Sequence, residues 1–225
     1  MLKEKLTEVE TRIARAAARA RRNPSDVQLV AVTKKFPADT IREAYQLGLR
    51  DFGENYVQEF EEKRAELSTI LDSARFHFIG HLQSNKARKA AEIFDVIHTV
   101  DSAKLARRLN AELDQAPGRG LDVLIEVKLS GEPSKAGVAP GDVAALVDAI
   151  RECRHLRLLG LMTMPPWSDD AEPSRPYFAR LRELAAQNGL KHLSMGMSHD
   201  LEVAIEEGAT MLRVGTALFG PRKKP

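Results

Sequence analysis

Short apolar segments alternate with amphipathic segments along most of the chain. The segment VQLVAV at positions 27–32 is nearly continuous in apolar, β-branched residues, which is typical of a strand buried on both faces. Seven more segments of this kind follow, so we predict eight strands, at 27–32, 50–54, 76–79, 96–100, 121–127, 156–162, 192–195 and 211–214. The segments between them predict seven helices, at 40–48, 56–67, 84–94, 102–113, 141–153, 174–188 and 199–207. We expect Asp39 to cap the first of these helices and Gly48 to end it.

The first twenty residues predict a further helix ahead of the first strand. Leu6, Val9, Ile13 and Ala17 recur at spacings of three and four, which gives one apolar stripe opposite an arginine-rich face. Three glutamates within the first ten residues are atypical of a transit peptide. We therefore interpret this segment as a helix packed on the body of the protein rather than as a targeting or membrane-surface segment.

Strands that alternate with helices imply right-handed crossovers and a parallel sheet. Eight such units predict an α/β fold of the (β/α)8 type, a closed TIM barrel formed by a single domain over residues 1–225. The chain ends about ten residues after the eighth predicted strand, too soon for a full outer helix, so we expect the N-terminal helix to complete the outer layer there. The alternative is an open doubly wound sheet, although no glycine fingerprint of the dinucleotide type follows the first strand.

The composition narrows the function classes. The chain carries 34 Lys and Arg against 32 Asp and Glu, a net charge of +2, which argues against a strongly basic nucleic-acid-binding protein. A single cysteine excludes an intramolecular disulfide, and no stretch reaches the roughly 18 apolar residues of a membrane span. The six histidines show no metal-ligand spacing. We expect a cytoplasmic protein with no nucleic-acid, membrane or metal partner.

Two lysines, Lys34 and Lys35, follow the first predicted strand within three residues. At the C-terminal face of a barrel a lysine amine would point into the mouth, where desolvation and positive charge lower its pKa and make it a nucleophile toward an aldehyde. Side chains alternate along a strand, so only one of the two easily points inward. The alternative interpretation is a pair of solvated lysines that start a loop.

Two glycine-containing segments, at 194–198 (SMGMS) and 213–216 (RVGT), lie at the ends of the seventh and eighth predicted strands. Glycine allows close backbone approach, and Ser and Thr hydroxyls add donors, so the two segments together are suited to a phosphate. Barrels often bind phosphate between these two loops. Such turns are also common in loops that bind nothing, so the sequence pattern leaves both interpretations open.

A Schiff-base lysine and a phosphate cradle in one barrel mouth suggest pyridoxal 5'-phosphate (PLP), although other phosphorylated ligands remain open on this logic. The sequence also resembles the pyridoxal phosphate homeostasis proteins, single barrels similar to the N-terminal domain of alanine racemase. The matching segments are AVTK at 31–34, FGENYVQE at 52–59, HFIGHLQSNK at 77–86, GLM at 160–162 and SMGMSHDLEVAIEEGATMLRVGTALFG at 194–220.

The resemblance implies a fold-type III PLP-binding barrel in which Lys34, rather than Lys35, carries PLP as a Schiff base. It also implies that Ser198, Gly215 and Thr216 hold the phosphate, that Arg213 faces the pyridine nitrogen, and that Asn55 lies beside the ring.

Three further positions have alternative interpretations or depart from the family pattern. His77 at the end of the third strand is a candidate for lining the pocket, and a hydrogen-bonded structural histidine is the alternative. The resemblance extends to Lys135, a candidate for passing PLP outward, for which a solvated loop lysine is the alternative. Where the family often has Asn after the fifth strand this chain has Lys128, so no contact is carried over to that position.

The resemblance predicts a carrier that keeps PLP available to apo PLP-dependent enzymes, as a monomer or weak dimer, without robust catalysis. An arginine cannot accept a proton, so Arg213 would leave the ring a poor electron sink. The first alternative is a racemase-like enzyme, but neither Tyr45, Tyr56 nor Tyr177 stands at a predicted C-terminal strand end to supply a second base. The second is an aldolase-like barrel, which would favour a lysine where Met162 and Met164 occur.

Overall fold

Eight parallel strands close into a barrel in the order of the sequence, and the last strand pairs with the first. The computed structural model describes residues 1–115, 118–132 and 136–221. The strands are β1 (Gln28–Val32), β2 (Asp51–Glu54), β3 (Arg75–Phe78), β4 (Val96–Val100), β5 (Leu121–Glu126), β6 (Leu156–Met162), β7 (His192–Met197) and β8 (Met211–Val214). This closure confirms the predicted (β/α)8 barrel, and the open doubly wound sheet is wrong.

Helices cover the outside of the barrel. In the described part of the chain they are α1 (Leu2–Arg19), α2 (Ala38–Gln46), α3 (Val57–Glu66), α4 (Ala87–Ile93), α5 (Ala103–Leu113), α6 (Val143–Arg151), α7 (Arg175–Gln187), α8 (Leu201–Glu206) and α9 (Thr216–Phe219). None of these helices is both long and apolar enough to cross a membrane. Their apolar faces and the outward faces of the strands form the main core, in which Phe60 packs between Phe76 and Phe94.

The N-terminal helix completes the outer layer, as expected. The buried face of α1 consists of Leu2, Leu6, Val9, Ile13, Ala16 and Ala17, the stripe that the spacing predicts. The helix packs against α8 and the short α9, beside the last strand. Arg12 adds a two-pronged ion pair to Glu202, with Nε 2.6 Å and Nη2 2.8 Å from the carboxylate oxygens. The helix therefore covers the outside of the barrel beside β8, together with the short α9.

Two local predictions differ from the structure. Asp39 does not cap α2, because that helix begins at Ala38, two residues before the predicted start at 40, and its N-cap residue is Pro37. Asp39 instead lies in the first turn and forms an ion pair with Arg42. Strand β7 runs to Met197, two residues beyond the predicted end, because its pairing with β8 shifts register between Ser194 and Met197.

Candidate ligand-binding site

A cavity of about 590 Å³ opens at the C-terminal ends of β1, β2, β7 and β8. Six of the seven residues that the sequence analysis assigned to cofactor binding line it, namely Lys34, Asn55, Ser198, Arg213, Gly215 and Thr216. The structure thus brings together residues separated by up to 182 positions in the chain. This is the face on which barrel proteins carry their binding and catalytic residues.

A tight turn after β1 separates the roles of the two lysines. The amide of Phe36 donates to the carbonyl of Thr33 at 3.1 Å, and Lys35 takes a left-handed backbone conformation with φ +65°. Lys34 is half-buried and lines the cavity, whereas the Lys35 side chain is exposed to solvent. The geometry therefore directs one lysine into the mouth, and the turn rather than strand alternation separates the two, because β1 ends at Val32.

A buried charged cluster lies directly behind this turn. The Lys63 ammonium donates to the Thr33 carbonyl at 2.9 Å and to Glu54 Oε1 at 2.8 Å, and it pairs with Glu59 at 2.6 Å. The Thr33 hydroxyl donates to the same Glu54 oxygen at 2.7 Å. Burial raises the pKa of Glu54, while Lys63 and Thr33 oppose that shift. These contacts fix the end of β1 and with it the backbone that presents Lys34.

The position of Asn55 depends on a glycine in the neighbouring strand's loop. A Cβ at Gly80 would lie 2.2 Å from the Asn55 carbonyl oxygen, so no other residue type fits there without moving the backbone. The Asn55 side-chain oxygen is buried and finds no hydrogen-bond partner in the described part of the protein. Buried polar atoms normally have partners, and an exception in a cavity wall indicates a ligand.

The loops after β7 and β8 meet at one side of the cavity. Gly196, near the end of β7, has φ +90°, and a Cβ there would lie 2.4 Å from the Cβ of Ala204, so this end of the strand needs glycine. Asp200 Oδ1 accepts the Met197 amide at 2.7 Å. The Ser198 hydroxyl oxygen accepts the Ala217 amide at 3.1 Å, which ties the two loops together and leaves the hydroxyl hydrogen as a donor.

Arg213 forms part of the cavity wall from inside the barrel. Only 4% of the residue is exposed, and burial lowers the pKa of its guanidinium to about 10. Nη1 donates to the Ser194 hydroxyl at 2.7 Å, and Nη2 donates to the Thr163 carbonyl at 2.9 Å. The segment 194–198 is therefore divided in function: Ser194 supports Arg213, whereas Ser198 lines the cavity.

Met164, Trp167 and His199 are among the cavity residues that the sequence did not predict. Met164 and Trp167 lie in the loop after β6, which has no periodic pattern, and His199 lies between β7 and α8 rather than in the predicted helix at 199–207. Trp167 is 73% exposed at the rim, and its ring lies 4.9 Å from the His199 ring. The His199 Nε2 atom is buried, and no partner for it is found among the residues described. The available signal was the chain's one tryptophan, which stands in a polar segment between the sixth predicted strand and the following helix.

The structure does not place His77 in the cavity. Its ring is fully buried inside the barrel, with Nε2 2.9 Å from Asp51 Oδ1 and Nδ1 2.8 Å from His98 Nε2. Because both ring nitrogens have protein partners, His77 is a hydrogen-bonded structural histidine, the alternative considered for it. Lys135 lies outside the described residues.

A second cavity, of about 510 Å³, adjoins the first and shares Asn55, Ile79 and Met164 with it. Glu126, Lys128 and Ser130 line it after β5. Burial raises the pKa of Glu126 to about 7, Asp101 adds to that shift, and Arg213 opposes it. Lys128 therefore stands at the barrel mouth, next to the first cavity rather than in it. Among the residues described, no group of His, Cys, Asp and Glu is arranged to hold a metal ion.

Comparison with known proteins identifies the relatives of this chain. The model of the alanine racemase N-terminal domain family matches residues 5–223. The pyridoxal phosphate homeostasis protein of Pseudomonas aeruginosa is 49% identical over 223 residues, which cover 97% of this chain and 95% of that protein. The protein of the same name from Aquifex aeolicus is 43% identical over 232 residues, covering 98% of both chains.

Solved structures agree with this relationship. PipY of Synechococcus elongatus PCC7942, solved with PLP bound, is 42% identical and has a TM-score of 0.85, covering 98% of this chain and 100% of that chain. Alanine racemase of Clostridium difficile 630 has a TM-score of 0.73 at 13% identity and is covered over 57% of its length. The second likeness concerns the barrel fold alone.

Proposed function

Because the chain belongs to the pyridoxal phosphate homeostasis protein family, we propose that it binds PLP in the cavity at the barrel mouth and serves PLP homeostasis. Lys34 is the covalent attachment point. Ser198, Gly215 and Thr216 hold the phosphate, Arg213 faces the pyridine nitrogen, and Asn55 lies beside the ring. His77 is left out of this assignment because it does not line the cavity.

The residues present suit this ligand. PLP supplies an aldehyde that condenses with a primary amine, and its phosphate is a dianion that needs hydrogen-bond donors. The Lys34 amine, the Ser198 hydroxyl and the Arg213 guanidinium line one cavity, and the Asn55 oxygen there is buried without a partner in the described structure. The meeting of Lys34, Ser198 and Arg213 in a single cavity is the observation that carries the proposal.

Arg213 favours binding over catalysis. A guanidinium only donates hydrogen bonds, and at a pKa of about 10 it keeps its charge at neutral pH. It therefore provides no proton acceptor opposite the ring nitrogen, and that nitrogen stays unprotonated. Carbanion chemistry draws its driving force from a protonated ring, so the site is poorly suited to it.

A racemase-like enzyme is the alternative function, because the barrel fold is shared with alanine racemase. Racemisation needs a base on each face of the substrate carbon. No tyrosine is among the residues that line the described cavity. Tyr56, two residues after β2, is 48% exposed to solvent, which does not suit a base that must face the substrate carbon. We therefore propose that the protein is not a robust catalyst.

The test measures delivery and turnover with the same preparation. Purified protein is loaded with PLP, freed of excess ligand and mixed with an apo-aminotransferase, and recovery of aminotransferase activity is followed. We expect PLP to be retained and then transferred, and no racemisation of alanine above the level of free PLP. A turnover of roughly 1 s⁻¹, near the lower end of ordinary enzymes, would contradict the carrier function, as would failure to retain PLP.

Recipients, location and assembly belong to the same proposal. The recipients are apo PLP-dependent enzymes, the protein acts in the cytoplasm, and it works as a monomer or weak dimer. Lys135 remains a predicted transfer residue. Lys135→Ala is expected to retain PLP but to slow reactivation of the apo-aminotransferase, and equal rates at equal loading would reduce Lys135 to a surface charge.

A further inference from the structure

A continuous chain of hydrogen bonds crosses the interior of the barrel from its N-terminal end to the ligand cavity. It links Arg213 on β8 to Ser194 on β7 (2.7 Å), Ser194 to His98 on β4 (2.8 Å), His98 to His77 on β3 (2.8 Å), and His77 to Asp51 on β2 (2.9 Å). The three middle residues are fully buried. Asp51, the first residue of β2, lies at the opposite end of the strands from the cavity.

The two ends of this hydrogen-bond chain differ in whether they donate or accept. The Arg213 guanidinium donates and cannot accept. At the other end, burial raises the pKa of Asp51, while hydrogen bonds from His77 and Gln28 and the positive charge of Arg75 lower it. The net pKa is below the ordinary value, so Asp51 is a carboxylate at neutral pH and accepts. A donor that cannot accept and an acceptor that cannot donate impose one direction on the bonds between them.

That direction fixes the state of each intermediate group. The Ser194 oxygen accepts from Arg213, so its own hydrogen goes to His98 Nδ1, the other partner found for it in the described structure. Burial lowers the pKa of His98 well below its ordinary value, and the positive charge of Arg213 adds to the effect, so this ring is neutral. His98 therefore carries its hydrogen on Nε2 and donates it to His77 Nδ1. His77 in turn donates from Nε2 to Asp51.

We propose that Asp51, His77, His98 and Ser194 act together as positioning residues for Arg213, holding its guanidinium against the cavity through this one-directional chain. The inference rests on the proposed function, in which the pyridine ring of PLP faces Arg213. Each bond polarises the next in the same sense, which makes the Ser194 oxygen a better acceptor for Arg213 than an isolated hydroxyl. Residues that do not contact the ligand thereby influence the pyridine ring of PLP through Arg213.

The proposal predicts that a change at the far end is felt at the cavity. Asp51→Asn keeps an acceptor oxygen but removes the charge that fixes the direction, and Ser194→Ala removes the hydroxyl beside Arg213. In both variants the absorption maximum of bound PLP is expected to shift, and its dissociation constant to rise roughly two- to thirtyfold, the range for residues coupled through a network. Asp114→Asn is the matched control, since Asp114 accepts from His155 at 2.9 Å on the surface, away from the cavity.

The experiment has two arms on the full-length protein. In the first, nitrogen-15 NMR of PLP-free wild type at neutral pH identifies the tautomer of each histidine, assigned with His77→Gln and His98→Gln. The expected result is hydrogen on Nε2 of both rings. Hydrogen on Nδ1 of His98, or a doubly protonated His98, would contradict the proposed direction of the hydrogen bonds. This result comes from the wild type, so it would hold even if every substituted protein failed to fold.

In the second arm, PLP spectra and dissociation constants are compared for the wild type and the three Asp and Ser variants. Effects of both Asp51→Asn and Ser194→Ala, with none from Asp114→Asn, support the proposal. An effect of Ser194→Ala alone would show local support of Arg213 and would overturn the chain. If the wild type binds no PLP, the proposed function is wrong and the positioning role is wrong with it. That result is distinct from one in which the wild type binds PLP and Asp51→Asn leaves the binding unchanged, which contradicts the positioning role alone.

Discussion

The two ends of the barrel treat their buried polar groups in opposite ways. In the described part of the chain, four buried side-chain atoms lack a hydrogen-bond partner, and all belong to residues at or just after the C-terminal ends of strands: Glu54, Asn55, Ser130 and His199. At the N-terminal end the carboxylates have partners. Asp122 accepts three hydrogen bonds from Arg75 and Arg157, at 2.6 to 2.7 Å, and Asp95 accepts the Phe76 amide at 2.8 Å.

An unsatisfied buried polar atom costs about 1 to 3 kcal/mol, so a fold that leaves several at one end gives up stability there. At the N-terminal end, the Asp95 and Asp122 carboxylates have hydrogen-bond partners, so they do not carry this cost and their contacts stabilise the fold. Of the four residues, Asn55 and His199 line the proposed PLP cavity, where a bound ligand would complete their hydrogen bonds. Substitutions at the mouth are therefore expected to change binding and to spare or even raise stability. Substitutions of Asp95 and Asp122, which lie at the base outside the hydrogen-bond chain from Asp51 to Arg213, are expected to do the reverse.

The largest expected effect is at Glu126, in the wall of the second cavity. The folded state raises the pKa of this carboxyl from 4.5 to about 7, so the folded protein keeps a proton that the unfolded chain has lost. Stability is therefore lost as the pH rises from about 4.5 to about 7, by about 3 kcal/mol in total. Glu126→Gln lacks this loss, and its free energy of unfolding should exceed that of wild type by more at pH 8 than at pH 4.

Urea unfolding at the two pH values checks this prediction. The exposed Glu10 supplies the matched control, because Glu10→Gln removes a carboxylate that is in contact with water. The interpretation of Glu126 would be contradicted by a stability difference between Glu126→Gln and wild type that stays constant from pH 4 to pH 8.

The second effect concerns the two loops that meet at the mouth. Ser198→Ala and Thr216→Val each remove a hydroxyl that we assign to the phosphate, and each should weaken retention of PLP by about 1 to 3 kcal/mol, as for a lost hydrogen bond to a charged group. Retention of pyridoxal, which has no phosphate, should hardly change. Equilibrium dialysis with both ligands makes the comparison, and equal losses for the two would mean that these residues only support the loops.

The smallest effect is at the base of the barrel. Asp122→Asn removes a carboxylate that is 9% exposed, but its partners Arg75 and Arg157 are 44% and 73% exposed and return to water. We therefore expect a loss of only about 1 kcal/mol in the free energy of unfolding, with PLP retention unchanged. Chemical denaturation and PLP titration of one preparation test both parts. A tenfold weaker PLP affinity in Asp122→Asn would contradict the division of roles between the two ends.

The sequence predicts the barrel and most of the cavity because both depend on local signals. A buried parallel strand is recognisable from its own residues, as LDVLIEV at 121–127 illustrates, and the C-terminal ends of parallel strands converge in space. Knowing where β1 and β8 end is therefore enough to bring Lys34 and Thr216 to one face. The expectation that only one of Lys34 and Lys35 points inward rests on alternation along a strand. In the structure a turn after β1 separates the two side chains instead.

Contacts across the barrel interior could not be predicted in this way. Periodicity indicates that His77 and His98 alternate with outward residues, but it does not tell which neighbour from β2 or β7 each ring meets. That depends on the stagger of all eight strands, to which no single segment contributes a signal. Loop residues are missed for another reason. The loop after β6, which carries Trp167, has no period at all, and His199 precedes α8 instead of belonging to the helix predicted at 199–207.

Covalent attachment at Lys34 is the central claim, and borohydride reduction of the PLP-loaded protein tests it most directly. Reduction fixes PLP to its lysine, and peptide mapping then locates the pyridoxyl group. We predict the group on the peptide that contains Lys34, loss of the visible absorption band in Lys34→Ala, and retention of the band in Lys35→Ala, whose side chain is exposed in the wild type. A pyridoxyl group on Lys35, or an unchanged band in Lys34→Ala, would contradict the account.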